Sequence, residues 1–258
     1  MSKKSKSANS TSFDSNVNLE KLFEEEKPEN AIQNPPMLPQ HPFRLIDAGA
    51  SGSGKTYILF KALIEGELVF EKLYIYARDI YETKYSVLIK HYVGVAQDMG
   101  VSPEEIITVG DHGKDIIGVD QLDPNKVNLV IFDDWITDKK TMDGVITDHW
   151  IRGRKKNASY CFLAQSYYNI PKMIRLNSDY FILFRFPESK SNQMIISEQK
   201  GDLEYDEFKR LFNEATKGKH SWVFIDKKTA DARLKVRKGF KQPLKILKFE
   251  SDDDDNSE

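Results

Sequence analysis

The sequence predicts an α/β fold in which a mostly parallel central sheet is covered by helices on both faces. Short apolar segments typical of strands alternate along the chain with segments whose apolar residues have the helical period, a pattern typical of parallel sheets with crossover helices. One such segment, Val127–Phe132, is almost entirely apolar and is therefore expected to be buried on both faces. The chain has 258 residues, 40% of them hydrophobic, which is enough to bury the core of one such domain.

The first predicted unit is a strand at Phe43–Ala48, a glycine-serine loop and a helix at Lys55–Glu65. Further strands are predicted at Leu73–Ala77, Ile106–Val109, Val127–Phe132, Ser159–Ala164 and Tyr180–Phe186. Further helices are predicted at Tyr85–Gln97, at Met142–Trp150, as a short helix starting at Asn169 before Pro171, and at Tyr205–Ala215. Two alternating segments, Ser221–Ile225 and Ala232–Val236, predict a terminal β-hairpin.

Composition divides the chain into three parts. Residues 1–42 are rich in Ser, Asn, Glu and Pro and predict a disordered arm or linker, although Val17–Glu26 could form a short amphipathic helix. Residues 43–249 are expected to form the folded domain. Residues 250–258 are almost purely acidic and predict a disordered tail.

Charge is distributed unevenly, although the net charge is only −2. The segment Lys217–Lys248 has eleven Lys or Arg residues and two Asp residues. This excess favours a polyanionic partner, with scattered solvated lysines as the alternative.

Cysteine and histidine usage exclude two kinds of site. Cys161 is the single cysteine, so an intramolecular disulfide is impossible, and we expect a reducing compartment and a core position for this thiol. The five histidines lack the spacing of a helical metal site. The sequence contains no stretch long and apolar enough for a membrane span.

The strongest motif is a phosphate loop between the first strand and the first helix. It satisfies G-x-x-x-x-G-K-[ST] at each fixed position and consists of Gly49, Ala50, Ser51, Gly52, Ser53, Gly54, Lys55 and Thr56. Its glycines let backbone N–H groups face a polyphosphate, and Lys55 adds a positive charge at the β- and γ-phosphates. The Thr56 hydroxyl is expected to bind Mg²⁺, so the motif predicts a site for ATP and Mg²⁺.

Polar residues follow two of the predicted strands. Asp133 and Asp134 end the strand Val127–Phe132, where we expect the first acid to bind Mg²⁺ and the second to polarise the attacking water. Gln165 follows Ser159–Ala164, where an amide can hydrogen-bond both the water and the γ-phosphate. Together with Lys55 these residues are the predicted catalytic set.

Three segments in order, GASGSGKT, VNLVIFDDW and WIRGRKKNASYCFLAQSYYNIPKMIRLNSDYFILFR, resemble the genome-packaging ATPases of double-stranded DNA viruses and virophages, within the FtsK and HerA superfamily. The resemblance extends from about Phe43 to Phe186. It implies a P-loop fold with an additional central strand, with Lys55 and Thr56 at the phosphates and Mg²⁺. It also implies that Asp133 and Asp134 form the acidic pair and that Gln165 is the sensor.

The same resemblance implies an ATP-driven translocase that packages a viral genome. It implies double-stranded DNA as a partner through its backbone, a ring of identical subunits, and docking on a viral capsid component. The expected location is the virion or the site of virus assembly, in the host cytoplasm. A nucleotide or small-molecule kinase and a nucleotide-stabilised capsid assembly factor are the alternatives.

An arginine from a neighbouring subunit is expected to complete the site, because charge that develops on the γ-phosphate requires a further cation. Arg154 is the first choice, since it lies in a turn between the helix Met142–Trp150 and the next strand. Arg152 is the second choice. Arg175 is expected to brace the chain through Asn177 or a carboxylate. The alternative for the cluster Arg152–Lys156 is contact with DNA.

Overall fold

The computed structural model describes residues 33–245, which form one nine-stranded sheet with helices on both faces. Its strands are β1 (Arg44–Ala48), β2 (Lys72–Ala77), β3 (Ile107–Gly110), β4 (Asn128–Asp133), β5 (Ala158–Ala164), β6 (Tyr180–Phe184), β7 (Trp222–Asp226), β8 (Val236–Lys238) and β9 (Gln242–Pro243). The possible helix at Val17–Glu26 and the acidic tail 250–258 lie outside the described residues.

The strand order in the sheet is β3-β2-β4-β5-β1-β6-β7-β8-β9. Strands β1 to β6 are parallel to one another, and β7, β8 and β9 continue the sheet in antiparallel pairs. Strand β5 lies between β4 and β1, which confirms the additional central strand that the resemblance implied. Because these strands are parallel, the residues that follow β1, β4 and β5 lie at one edge of the sheet, the edge formed by the carboxyl ends of the strands.

Helices form a layer on each face of the sheet. They are α1 (Lys55–Ile64), α2 (Thr83–Met99), α3 (Pro103–Ile106), α4 (Lys139–Thr141), α5 (Thr147–Arg152), α6 (Lys172–Leu176), α7 (Ser189–Gln199) and α8 (Tyr205–Ala215). Buried residues of α1 and α2 pack on one face, and those of α5 to α8 pack on the other. A π-helical turn, Met142–Ile146, joins α4 to α5. These two cores confirm the predicted three-layer α/β/α architecture.

Three predictions of local structure differ from the fold. The second hairpin strand was expected at Ala232–Val236, but Ala232–Leu234 is a 3₁₀ turn and β8 begins at Val236. The Asp231 carboxylate accepts the Arg233 N–H, and this local bond favours a turn over a strand. The short helix α6 starts after Pro171 rather than at Asn169. Helix α7 was not predicted, because its apolar residues are too few to show the helical period.

Residues 33–42, which composition assigned to the arm, pack against the sheet domain. Leu38 and His41 are buried. The Ser159 hydroxyl lies 2.6 Å from His41 Nδ1, and the Val69 N–H donates to the Asn34 side chain. The prediction was wrong for these ten residues because the prolines that exclude a helix do not prevent irregular chain from packing on a core.

A cluster of aromatic side chains beside α5 limits the space available to the backbone that precedes β5. The Tyr160 ring is fully buried and stacks on Phe132 with ring centroids 6.4 Å apart. The His149 Nε2–H donates to the Ile117 carbonyl at 2.7 Å, so His149 Nδ1 accepts from the Tyr160 hydroxyl at 3.2 Å. Burial lowers the pKa of His149 and favours this neutral form.

We expect Gly153→Ala to lower the free energy of unfolding by about 1–3 kcal/mol, because overpacked buried sites cost that much. A Cβ at Gly153 would overlap the Tyr160 phenol, and the rings of Phe132, His149 and Trp150 pack around that phenol. Chemical denaturation measures the change. The matched control is Gly94→Ala in α2, where a Cβ meets open space, and a slight stabilisation is expected. Equal effects of the two substitutions would contradict the steric argument.

Cys161 is fully buried in β5, as predicted for a core thiol. Among the described residues no helix combines the length and the apolar character that crossing a membrane requires.

Candidate functional site

The phosphate loop Gly49–Thr56 connects β1 to α1 at the edge where the parallel strands end. Gly54 precedes α1 with φ 109°, a left-handed conformation that residues with a Cβ rarely adopt. The first turn of α1 contains no acidic residue. Its free N–H groups and the positive end of the helix dipole therefore present an anion site.

Lys55, the first residue of α1, is buried, with 7% of its surface exposed. Its ammonium group donates to the main-chain carbonyls of Gly49 at 2.6 Å and Ala50 at 3.1 Å. Burial lowers the pKa of Lys55, and the carboxylates of Asp47 and Asp133 partly oppose that shift. The cation is thus held by the loop itself until an anion competes for it.

Asp133 and Asp134 end β4 on the same edge. Asp133 is buried, accepts a hydrogen bond from the Tyr85 hydroxyl, and has a pKa raised by burial. Asp134 has φ 62°, and its N–H donates to the Leu163 carbonyl of β5 at 3.2 Å. Because the backbone at Asp134 is left-handed, the chain leaves the regular strand geometry at this residue.

Gln165, the residue after β5, contacts the acidic pair directly. Its side-chain amide donates to Asp134 Oδ2 at 3.1 Å. This bond joins the ends of β4 and β5, so the amide and the carboxylate are positioned together rather than separately.

Most of the predicted nucleotide residues meet at one cavity of about 380 Å³, although Gly49, Ala50 and Ser53 of the phosphate loop are not among its lining residues. Lys55, Thr56, Asp133, Asp134 and Gln165 all line it. The other lining residues are Ser51, Gly52, Gly54, Tyr57, Ala77, Arg78, Asp79, Glu82, Lys84 and Tyr85. The cavity thus combines a phosphate loop, two carboxylates and an amide, which is the set that phosphoanhydride hydrolysis requires.

Sequence reasoning missed seven of the residues that line the cavity, among them Arg78, Lys84 and Tyr85. Arg78 follows β2, and Lys84 and Tyr85 are in the first turn of α2. The same rule that indicated Asp133 could have found Arg78, because β2 is parallel to β4 and both end at this edge. Arg78 is held at 3.5 Å from Asp138 and lies over the Trp135 ring.

The donor set of this cavity suits Mg²⁺. Mg²⁺ prefers oxygen ligands and is usually held by one or two carboxylates together with substrate phosphates and water. Thr56 and Asp133 supply a hydroxyl and a carboxylate next to the phosphate loop. Within residues 33–245, no group of three or more His, Cys, Asp or Glu side chains is arranged to hold a metal ion.

Asp47 is a fully buried acid beneath the phosphate loop that sequence reasoning did not select. It lies in β1 between Leu163 of β5 and Ile182 of β6. Neither carboxyl oxygen has a hydrogen-bond partner among the described residues. Burial raises the pKa of Asp47 well above its ordinary value, a shift that the positive charge of Lys55 opposes. The neutral acid is therefore the form that this core favours.

We expect Asp47→Asn to stabilise the protein increasingly as the pH rises. The raised pKa means that the folded chain binds this proton more tightly than the unfolded chain, whose carboxyl has a pKa near 3.8. Stability is therefore lost above that pH, up to the folded pKa, and the amide removes the loss. Melting temperatures of both proteins at pH 4 and pH 8 measure the effect. A difference that is the same at both pH values would contradict it.

Arg154 and Arg152 lie far from the cavity of their own chain. Both precede β5, whereas the phosphate loop follows β1, and a five-residue strand such as β1 spans roughly 16 Å. Arg154 lies 3.4 Å from Asp179. Arg152 is held by Asp120 at 2.7 Å and by Asp148 at 2.8 Å. Within one chain, neither arginine can reach the phosphate loop.

Arg175 braces α6 through a carboxylate, one of the two expected partners. Its guanidinium donates twice to Glu198, at 2.8 Å for each bond.

The phosphate loop also has a contact from the far end of the chain. His220 Nδ1 donates to the Ser53 carbonyl at 2.9 Å. Sequence reasoning treated His220 as a structural or surface residue, because the five histidines lack the spacing of a helical metal site. The contact depends on the antiparallel strand β7, which begins beside the loop.

The chain is similar to viral packaging proteins. A model of the poxvirus A32 protein family matches residues 34–204. The DNA packaging protein OPG160 of monkeypox virus is 25% identical over 158 residues, which are 60% of this chain and 52% of that protein. The OPG160 protein of variola virus is 27% identical over 158 residues, with 60% of this chain and 58% of that protein covered. The chain thus spans little more than half the length of these curated relatives.

Two solved structures share the fold. The genome packaging NTPase B204 of Sulfolobus turreted icosahedral virus 2, in complex with AMP, matches with a TM-score of 0.52 at 12% identity over 80% of this chain and 98% of that chain. The DNA-packaging ATPase B204 of Sulfolobus turreted icosahedral virus matches with a TM-score of 0.52 at 13% identity over 80% of this chain and 100% of that chain. At such identities the likeness shows the fold alone.

Proposed function

Because the chain belongs to the poxvirus A32 protein family, we propose that it is an ATP-hydrolysing translocase that packages double-stranded viral DNA into a capsid. The observation that carries this proposal is that Lys55, Asp133, Asp134 and Gln165 line the same cavity. The curated relatives are named DNA packaging proteins. That agreement supports DNA as the partner on which the hydrolysis acts.

In the proposed reaction water attacks the γ-phosphate of ATP. The loop N–H groups and the Lys55 ammonium bind the β- and γ-phosphates, which carry the charge that grows as the bridging bond breaks. The Asp134 carboxylate accepts a hydrogen bond from the attacking water and orients it. The Gln165 amide donates to Asp134 and directly follows β5. A change in position of the γ-phosphate would therefore be passed through this amide to β5.

Mg²⁺ fits beside Thr56 and Asp133, and when bound it supplies neutralisation of charge on the β- and γ-phosphates. The Tyr85 hydroxyl, which donates to Asp133, fixes the orientation of that carboxylate.

We propose that identical subunits form a ring around DNA and contact its phosphate backbone. Backbone contacts carry no sequence information, so translocation would be independent of sequence and sensitive to salt. A capsid component would anchor the ring at the virion or at the assembly site, in the reducing host cytoplasm. Residues 1–42, apart from the packed residues 33–42, and residues 250–258 would lie outside the ATPase domain.

The test is ATPase activity of the full-length protein with and without duplex DNA at low salt. We expect phosphate release that duplex DNA increases. Phosphate transfer to an acceptor other than water, with no response to DNA, would instead identify a kinase. ATP binding without phosphate release would identify an assembly factor.

We further propose that Arg154 acts on the ATP of the neighbouring subunit, with Arg152 as the second choice. Its distance from the phosphate loop of its own chain supports action across an interface. The test mixes Arg154→Ala subunits, which keep the phosphate loop, with Lys55→Ala subunits, which keep the arginine. We expect the mixture to recover hydrolysis that each variant lacks alone. Near wild-type hydrolysis by Arg154→Ala alone would exclude it and favour Arg152.

A further inference from the structure

Arg78 is one of the three cations that line the nucleotide cavity. It directly follows β2, which is parallel to β4, and the last residue of β2, Ala77, pairs with Asp133. The Arg78 main-chain N–H donates to the Asp133 carbonyl at 3.4 Å. The backbone of Arg78 is therefore fixed beside the strand end that carries the acidic pair.

The Arg78 side chain is held loosely in the free protein. It is 46% exposed, and its guanidinium lies over the Trp135 ring, 5.5 Å from the ring centroid. Its Nη1 lies 3.5 Å from Asp138 Oδ2, a separation longer than an N–H···O bond usually has. An ion pair this long and this exposed contributes little to stability. The guanidinium can therefore leave Asp138 for a stronger anion.

Asp138 has partners other than Arg78. Its carboxylate caps α4, because it accepts the Thr141 N–H at 3.1 Å and the Thr141 hydroxyl at 2.8 Å. These two bonds lower the pKa of Asp138, and Arg78 contributes less to that shift. Asp138 thus keeps its hydrogen bonds when the guanidinium moves away.

The other two cations of the cavity have shorter contacts. The Lys55 ammonium donates to two main-chain carbonyls of the phosphate loop, at 2.6 Å and 3.1 Å. The Lys84 ammonium lies 2.7 Å from Glu82 Oε2. Of the three cations, Arg78 is therefore the one that a ligand displaces most easily from its partner in the protein.

The charge of the cavity calls for direct contacts between cations and phosphate. Three cations and four carboxylates line it, which gives a net charge of −1 before a nucleotide binds; they are Lys55, Arg78, Lys84, Asp79, Glu82, Asp133 and Asp134. A bound triphosphate adds further negative charge. Cations offset the resulting repulsion best at short distance. A guanidinium suits this contact, because its planar fork donates two parallel bonds to phosphate oxygens.

We propose that Arg78 leaves Asp138 when ATP binds and contacts the γ-phosphate of the ATP bound to its own chain, as a catalytic residue of that site. The inference rests on the proposed function. Lys55 approaches the γ-phosphate from the end of β1, and Arg78 approaches it from the end of β2, on the far side of β4 and β5. Because ADP lacks this phosphate, Arg78 distinguishes ATP from ADP.

The first measurement is the affinity for ADP and for a non-hydrolysable ATP analogue, each with Mg²⁺, by isothermal titration calorimetry. It requires no turnover. We expect Arg78→Ala to weaken binding of the analogue roughly tenfold to hundredfold, since a hydrogen bond between charged groups is lost, and to leave ADP affinity unchanged. Unchanged affinity for the analogue, or an equal loss for both nucleotides, would overturn the proposal.

The matched control is Asp138→Asn, which removes the ion-pair partner of Arg78. The amide keeps an oxygen that can cap α4, so the fold should not change. We expect wild-type affinity for both nucleotides. If Asp138→Asn weakened binding of the analogue as much as Arg78→Ala does, the pair would be a structural brace and the proposal would be overturned.

The second measurement is hydrolysis without DNA. We expect Arg78→Ala to lose roughly 10²–10³ in kcat, as sites do when one donor to the developing charge is removed. Mixing it with Lys55→Ala should restore nothing, because both residues serve the same chain and no site then has the two together. Recovery in this mixture would overturn the assignment to the same chain.

Two further results separate this proposal from others. Wild-type hydrolysis by Arg78→Ala, combined with weaker binding of duplex DNA, would overturn the proposal and assign Arg78 to DNA. A wild type that binds the analogue more tightly than ADP through Arg78, but releases no phosphate, would refute the proposed function and leave the contact of Arg78 with the γ-phosphate supported.

Discussion

We expect Lys55→Ala to abolish ATP hydrolysis and to weaken ATP binding strongly. The ammonium group is the one full positive charge within the phosphate loop Gly49–Thr56, and it lies at the start of α1, where a γ-phosphate would be bound. Loss of one preorganised donor to a developing negative charge typically costs roughly 10²–10³ in rate, and a charged donor costs more. Phosphate release and binding of a fluorescent ATP analogue measure the two effects.

The matched control for this substitution is Lys61→Ala. Lys61 lies in the same helix, but its ammonium group is exposed and pairs with Glu65 at 3.7 Å. We expect wild-type hydrolysis from it. Measurable turnover by Lys55→Ala, with the fold intact by circular dichroism, would contradict the assignment and direct attention to Arg78 and Lys84, the other cations that line the cavity.

We expect Asp134→Asn to stop turnover while ATP binding stays nearly intact. The amide cannot accept the proton or orient water as the carboxylate does, so the chemical step is lost. Asn tolerates the left-handed backbone that this position has, with φ 62°, and therefore the fold should not change. Pre-steady-state binding of ATP and phosphate release over many turnovers separate the two steps.

Asp133→Asn is the informative comparison, because that carboxylate is buried next to Thr56 and is expected to hold Mg²⁺. Its loss should raise the Mg²⁺ concentration needed for binding ATP. If Asp134→Asn also lost nucleotide binding with the fold intact, the metal-holding role would move to Asp134.

The phosphate-loop side of the site was predictable because its signals are local. The loop motif specifies its own turn and the helix start that follows it. The rule that parallel strands end at one edge then placed Asp133, Asp134 and Gln165 with Lys55 before any tertiary contact was known. Sequence could not place the contact of His220 with Ser53 of the phosphate loop, since 167 residues separate them and no motif marks His220.

For residues outside the motifs, the surroundings of each side chain depend on burial and on strand direction, which the sequence does not show. Asp47 reads as an ordinary polar residue in a strand, and only its position between β5 and β6 under α1 makes it a buried acid without a partner. Lys227 and Lys228 belong to a basic segment whose members turn out to face different acids. Charge counted along the chain therefore did not locate a surface.

The sequence by itself determined the alternation of strands and helices, the phosphate loop and the acids and amide at the strand ends, because these follow from local backbone preferences and from the period of apolar residues. The tertiary structure decided which ends of the strands meet. Its β4-β5-β1-β6-β7 order brings Asp134 to Gln165 at one edge and Arg154, Asp179 and Lys228 together at the other. Those contacts depend on the packing of segments distant in sequence, whose pairing and direction no local pattern specifies.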